Sequence, residues 1–276
     1  MSAIVSSLET GKSEFMRSRE IPVSFGNHGV MLHGRVLLPP QASIHAPVPG
    51  AILCHGFGAG HKAMESSALL LANKGIAAIV FDLRGHGKSG GALDDSFYED
   101  ILDAYQMFTA LPEVDESSIA LVGHSLGAFS SILAAQKLKI KPKAIIALSC
   151  PYEVESKLLS ISSHPGFAWL RKIIEMVWSA SMICSGLTVR INWKKFLGVW
   201  TKMKLSAALS DLDECAKLFV FCEDDKITPH RRFAHIFDKV RGRKKQILTA
   251  GTHGTPVEAE ILRFEWVGWT VSALTA

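Results

Sequence analysis

Short, wholly apolar runs alternate with helical patterns along most of this chain, and that rhythm limits its fold more than any other feature. Residues 51–54, 77–81, 119–122, 144–148, 218–221 and 246–249 read as strands. Residues 62–74, 96–111, 128–135, 229–240 and 256–273 read as helices. The strand runs do not alternate apolar with polar residues, so both of their faces are buried. Such strands separated by helices predict an α/β chain with a mostly parallel, doubly wound sheet. Two further strands open the chain, at 21–25 and 30–38, with Gly26-Asn27-His28-Gly29 between them. That turn chemistry predicts an antiparallel opening hairpin at one edge. A Pro/Ala-rich connector follows at 39–49. The rhythm fails once, between 151 and 212, where helical patterns at 165–179 and 193–203 follow each other without a strand. The expected organisation is one core built from residues 1–151 and 213–276, with a helical lid inserted at 152–212. A chain of 276 residues is long enough for one large core of this kind. It carries no internal repeat and no low-complexity tract.

Composition removes several function classes. Hydrophobic residues make up 48% and charged residues 20%, which describes a globular chain and not a disordered one. A net charge of +4 is too small to argue for nucleic acid, and no nucleic-acid motif accompanies it. Cys54, Cys150, Cys184, Cys215 and Cys222 show no metal-ligand spacing, so no metal is expected and buried reduced thiols are. An odd number without framework spacing also argues against a disulfide-built secreted domain. The first 19 residues lack a signal-peptide apolar core and carry Glu9 and Glu14. No stretch is apolar enough for a membrane span. A soluble, cytoplasmic protein is the expectation.

The chemistry centres on Gly123-His124-Ser125-Leu126-Gly127, which joins a strand to a helix. A serine at so tight a turn needs small residues two before and two after it. The turn then holds the hydroxyl out at the tip of the strand. A serine hydroxyl is a weak nucleophile at neutral pH and requires a general base with an orienting partner. Eleven histidines are available, so position must select the base. In a doubly wound sheet, chemistry gathers at the carboxyl ends of strands. His253 follows the run 246–249 in the glycine-flanked loop Ala250-Gly251-Thr252-His253-Gly254. The acid should end another strand between serine and histidine. Glu223, Asp224 and Asp225 crowd the end of the run 218–221, with Asp225 favoured and Asp224 second. Negative charge developing on an attacked carbonyl needs fixed N–H donors. The loop His55-Gly56-Phe57-Gly58-Ala59-Gly60 follows the run 51–54, and the backbone N–H groups of Phe57 and Leu126 are the expected donors. A phosphate loop would continue with Lys-Ser or Lys-Thr after Gly60, and this one does not. His55 is read as a brace for the loop.

Taken together these segments resemble the α/β-hydrolase superfamily, in its branch of serine aminopeptidases, monoacylglycerol lipases and related esterases. The matching stretches are His55-Gly56-Phe57-Gly58, Asp82-Leu83-Arg84-Gly85-His86-Gly87-Lys88-Ser89, Gly123 to Gly127, Asp225-Lys226-Ile227-Thr228-Pro229 and Gly251-Thr252-His253-Gly254. They stand in the family's order over residues 50 to 254. The resemblance implies an acid four residues before a proline, which selects Asp225. It also implies that Asp82 and His86 belong to a structural loop. The chain departs from the pattern at Cys222, where glycine usually opens the acid loop.

The expected function is therefore a serine hydrolase of carboxylic esters or similar acyl compounds. Ser125, His253 and Asp225 form its triad, and Phe57 and Leu126 N–H its oxyanion hole. No cofactor is expected. Between Ser156 and Ser210 stand eight Lys/Arg against one acid, Glu175, and four of the six tryptophans. Tryptophan beside basic and aliphatic residues suits lipid headgroups, or an acyl chain with an anionic end. A small-molecule acyl substrate, lipid-like in character, and peripheral membrane contact through the lid are the corresponding expectations. An ordinary helical cap with solvated lysines fits the same composition. Thioesterase, amidase or aminopeptidase and carbon–carbon hydrolase chemistry all fit the same triad. A ligand-binding member of the fold without catalysis is the reading from another class.

Overall fold

The computed structural model describes residues 18–26, 29–152, 189–202 and 204–276. The expected helix at 165–179, Trp169, Trp178, the turn residues Asn27 and His28 and most of the N-terminal segment lie outside the described residues.

The opening strands β1 (Arg19–Phe25) and β2 (Leu32–Leu38) pair antiparallel, with Phe25 opposite Leu32. There follow β3 (Val48–Cys54), helix α1 (Lys62–Asn73), β4 (Ala77–Phe81), α2 (Glu99–Thr109), β5 (Val114–His124) and α3 (Leu126–Lys137). After β6 (Ala144–Leu148), the described chain resumes with α4 (Trp193–Lys202) and α5 (Leu205–Ser210). It ends with β7 (Ala216–Cys222), α6 (His230–Lys239), β8 (Lys244–Thr249), α7 (Thr255–Glu258) and α8 (Glu260–Thr275). The eight strands lie in the order β1-β2-β4-β3-β5-β6-β7-β8. From β4 to β8 every pairing is parallel, while β2 runs against both β1 and β4. The expected sheet and its antiparallel opening are both present.

Apolar residues on both sides of the strands create two separate cores. Ala51, Leu53, Val80, Val122 and Ile146 face α1 and α8, where Met64, Leu71 and Trp266 are buried. Ile52, Cys54, Ile79, Leu121 and Ile145 face α2, α3 and α6, where Phe108, Phe129 and Phe233 are buried. The helix after β3 thus leaves toward one face and the helix after β5 toward the other, although β3 and β5 are neighbours. Connections that part in this way open a crevice at the carboxyl ends of the two strands. The loop at 55–60 and the Ser125 turn both sit there.

The expected helix at 256–273 is broken at Ala259, whose backbone is extended (φ −74°, ψ 120°). Side chains from α8 take the carbonyls that a continuous helix would have used. Trp266 Nε1 donates to the Pro256 carbonyl at 2.9 Å, and Arg263 donates to the Val257 carbonyl and, at 3.2 Å, to that of Glu258. Among the described residues no helix is long and apolar enough to cross a membrane.

Candidate active site

Ser125 stands between β5 and α3 with φ 52° and ψ −118°, a backbone that residues bearing a Cβ seldom adopt. Its own N–H is held by the Leu148 carbonyl at 2.8 Å, and its carbonyl receives the Ala128 and Phe129 N–H groups of α3 at 3.0 and 3.1 Å. The glycines around it are demanded by contact. A Cβ on Gly123 would stand 2.3 Å from the Gly127 carbonyl, and one on Gly127 would stand 2.3 Å from the Cys54 carbonyl oxygen. Leu126 is the first residue of α3, so its N–H has no acceptor within the helix.

Three carboxylates end β7, and the fold separates them. Glu223 and Asp224 are exposed and Asp225 is buried. Asp225 Oδ1 accepts the N–H groups of Ile227 and Thr228, each at 2.8 Å. Its Oδ2 lies 2.7 Å from Thr228 Oγ1 and 2.8 Å from His253 Nδ1. Burial pushes this carboxyl upward, but the Thr228 donors and His253 outweigh it and hold it below the usual carboxylate range. The two loops are joined through their backbones as well: Glu223 N–H donates to the Thr249 carbonyl at 2.9 Å and Asp224 N–H to that of Gly251 at 3.0 Å. An imidazole whose Nδ1–H is held by a carboxylate presents Nε2 as a proton acceptor. The carboxylate then stabilises the cation that forms.

The loop after β3 approaches the same point. A Cβ on Gly56 would lie 3.2 Å from Ser125 Cβ and 2.9 Å from His124 Nδ1. Two buried histidines hold this loop to the one after β4. His55 Nε2 accepts the Leu83 N–H at 3.0 Å, and His86 Nε2 accepts the Gly58 N–H at 3.1 Å. Each ring therefore carries its proton on Nδ1, which donates to the carbonyls of Gly56 and Arg84 respectively. Burial, then the neighbouring His86 ring, lowers His55 to about 3; burial also lowers His86. Neutral rings are what the two accepted hydrogen bonds need, so His55 braces the loop as the sequence predicts.

The run from Asp82 to Ser89 also has the structural character expected of it. Asp82 is buried and accepts from the N–H and Nδ1 of His61, both at 2.8 Å, and from Lys88 N–H at 3.1 Å. Arg84 is buried in a carboxylate cluster, with Nε 2.7 Å from Asp100 and Nη1 3.0 Å from Asp94. Burial pushes Asp100 up to about 6, against the opposing pull of Arg84.

The segment that leads into α4 is fastened to this loop. Arg190 N–H donates to the Gly85 carbonyl at 2.9 Å, and Leu93 N–H to that of Arg190 at 2.8 Å. From α4, Phe196 stacks on Phe57 with ring centres 6.1 Å apart and meets Phe97 edge-on at 6.2 Å. An aromatic side chain of α4 thus packs against the expected oxyanion loop.

Sequence reasoning passes over three residues that complete the site. Thr228 places its hydroxyl between Asp225 and His253. His124 Nε2 and Ser149 Oγ both donate to the His253 carbonyl, at 2.8 and 3.1 Å. Burial lowers His124 to about 4, so its ring is neutral too. Thr228 had a local signal, a hydroxyl three residues after the acid in a turn. Ser149 had none. Among the described residues no cluster of three or more His, Cys, Asp or Glu side chains is placed to hold a metal ion.

Comparison with known proteins agrees with this geometry at the level of family and fold. A family model described as serine aminopeptidase, S33, matches residues 47–214. An epoxide hydrolase of Caballeronia sordidicola is 32% identical over 144 residues, 49% of this chain and 44% of that protein. The chain spans less than half the length of the first curated relatives it matches. Among solved structures, the α/β hydrolase GrgF from Penicillium sp. sh18 superposes with a TM-score of 0.74 at 20% identity. That match covers 94% of this chain and 100% of the other. Est1E from Butyrivibrio proteoclasticus, solved with ferulic acid bound, gives 0.69 at 17% identity, covering 92% of this chain and 100% of the other. Both likenesses speak for the fold.

Proposed function

Since this chain belongs to the serine aminopeptidase, S33 family and has the α/β-hydrolase fold, we propose that it is a serine hydrolase of carboxylic esters or closely related acyl compounds. The observation that carries this reading is the 2.8 Å pair of His253 Nδ1 and buried Asp225 Oδ2, at the same end of the sheet as Ser125 on its strained turn. In the proposed reaction His253 Nε2 takes the Ser125 proton as Oγ attacks the carbonyl carbon. The oxyanion is held by the N–H groups of Phe57 and Leu126. His253 then gives the proton to the leaving group, and the acyl group stays on Ser125. Water, deprotonated by the same imidazole, attacks the acyl-enzyme and releases the acid.

The relative named an epoxide hydrolase brings ring opening in as a competing chemistry. A serine nucleophile argues for acyl transfer. Attack of Ser125 on an epoxide carbon would leave an alkyl ether, which water does not cleave under these conditions, whereas an acyl ester is cleaved. For the substrate, Phe196 over Phe57 and the basic, tryptophan-rich composition of 156–210 favour an acyl group with apolar bulk.

Fluorophosphonate labelling of the wild type beside Ser125→Ala tests the mechanism. Labelling of the wild type alone is expected. An unlabelled wild type, or equal labelling of both, overturns the serine-hydrolase reading. A series of p-nitrophenyl esters then tests the substrate class, and preference for acetyl over longer chains counts against an acyl-binding lid. Co-sedimentation with anionic liposomes tests membrane contact separately.

A further inference from the structure

We propose that Ser149 is a positioning residue that sets the His253 loop against Asp225, and that its left-handed backbone is retained for that task. The inference rests on the serine-hydrolase reading for its effect on activity, and on geometry alone for the placement.

Ser149 directly follows β6, fully buried, with φ 48°. Besides Ser125 it is the one non-glycine residue with positive φ among those described. A Cβ makes this backbone unfavourable, so an unconstrained position of this kind would go to glycine. What the side chain does here is specific. Its Oγ–H donates to the His253 carbonyl at 3.1 Å. Its N–H donates to the Val220 carbonyl at 2.8 Å, on the strand that leads to Asp225. Its own carbonyl lies 3.2 Å from Thr228 Oγ1, and that hydroxyl lies 2.7 Å from Asp225 Oδ2. One residue therefore touches the strand bearing the acid, the threonine that binds the acid and the backbone of the base.

The His253 carbonyl receives a second donor, His124 Nε2 at 2.8 Å, from the residue before Ser125. A carbonyl oxygen has two lone pairs, and both are used. His253 lies in a loop that Asp224 N–H holds at Gly251, and these two donors are the bonds made to the carbonyl of His253 itself. The clamp ties the position of the base to the strand ends that bear the acid and the nucleophile. Strain kept at such a point marks a residue whose side chain is needed more than its backbone comfort.

Ser149→Gly and Ser149→Ala together separate positioning from mere packing, because glycine relieves the backbone while removing the whole hydroxymethyl group and alanine removes the hydroxyl alone. Three readouts are taken on the full chain: the thermal midpoint, the low-field proton resonance of His253 Nδ1–H, and the rate of fluorophosphonate labelling. Asp225→Asn assigns the resonance. Expected are a midpoint equal to or above wild type, a shifted or exchange-broadened Nδ1–H signal, and labelling slowed about tenfold, the scale of one lost hydrogen bond. Ser149→Ala keeps the strain and loses the hydroxyl, so it should lose labelling to the same degree with a lower midpoint than Ser149→Gly. An unchanged resonance with an unchanged labelling rate in Ser149→Gly overturns the proposal. So does a fall in midpoint that accompanies the loss, which makes the role structural. If the wild type does not label at all, the hydrolase reading fails, and the resonance still decides the placement.

Discussion

His55 and His86 exchange support across two loops: each imidazole accepts a backbone N–H from the loop that carries the other. Leu83 N–H meets His55 Nε2 at 3.0 Å, Gly58 N–H meets His86 Nε2 at 3.1 Å, and the rings touch edge-on with centres 5.0 Å apart. Protonating either ring turns an acceptor into a donor facing an N–H. The clasp therefore holds the Phe57 loop in place only while both rings are neutral.

A pH dependence of stability follows. Burial lowers His55 to about 3 and His124 to about 4 in the folded chain, while an unfolded histidine titrates near 6.5. Between those values the unfolded chain binds more protons than the folded one, so stability rises with pH. The contribution is complete above about pH 6.5 and is lost as pH falls toward 4 and then 3. Asp82 and Asp225, both held below the usual carboxylate range, add their losses only below about pH 4. Thermal midpoints from pH 8 to pH 4 should be flat at first and then fall. In His55→Gln, whose side chain can still accept but does not titrate, the fall should be shallower; an equally steep fall would remove His55 from the account.

Two glycine-to-alanine changes should move stability in opposite directions. At Gly127 a Cβ would stand 2.3 Å from the Cys54 carbonyl oxygen and 2.6 Å from that of His55, both backbone atoms that cannot step aside cheaply. Gly127→Ala should cost more than about 3 kcal/mol, or prevent accumulation of folded protein. Gly268 lies exposed inside α8 with nothing within 4 Å of a Cβ. Gly268→Ala should stabilise by about 0.5–1 kcal/mol through helix propensity. Urea midpoints compare the two directly.

Arg84 should behave as one member of a buried ion pair. Arg84→Met leaves Asp100 buried without its cation and should cost about 3–5 kcal/mol at neutral pH. Asp100 already sits near 6 with Arg84 beside it, raised by burial, and losing the guanidinium moves it further up. A raised carboxyl stabilises the folded chain when protonated, so the penalty should shrink as pH falls from 8 to 5. This is the reverse of the histidine trend. Urea titrations of wild type, Arg84→Met, Asp100→Asn and the double variant read both the pH slope and the coupling energy, and a coupling near zero would contradict the pairing.

Phe196 should govern the choice of acyl group more than the chemistry on it. Its ring stacks on Phe57 and meets Phe97 and Trp193. Phe196→Ala opens space beside the proposed oxyanion loop. The ratio of kcat/KM for octanoyl over acetyl p-nitrophenyl esters should change about tenfold, the scale of one or two methylenes in an apolar pocket. The rate of labelling by a small fluorophosphonate should change less. Equal effects on both would place Phe196 in the support of the loop instead.

The architecture was legible in the order of residues because its causes are local. Apolar runs long enough to cross a sheet, glycines where a Cβ would strike a neighbouring carbonyl, and turn residues at strand ends each act within a few positions. They are enough for the sheet, its antiparallel opening and the Ser125 turn. The ordering of Glu223, Asp224 and Asp225 was a matter of burial, and the fold resolved it by turning Asp225 inward alone. The helix break at Ala259 was not legible, because it depends on side chains of α8 reaching back to carbonyls on α7.

By itself, then, the sequence determined which segments become strands and most of those that become helices, where the chain must turn tightly, and that a serine, three carboxylates and a histidine stand at strand ends. Only the tertiary structure decided what holds them. The bonds that fix the His253 carbonyl join residues 104 and 129 positions apart, and those of the His55–His86 clasp span 28. No local pattern encodes such partners. They meet because a parallel sheet delivers the ends of β3, β5, β6, β7 and β8 to one edge, where a buried polar group must find its partner among whatever the topology has brought there.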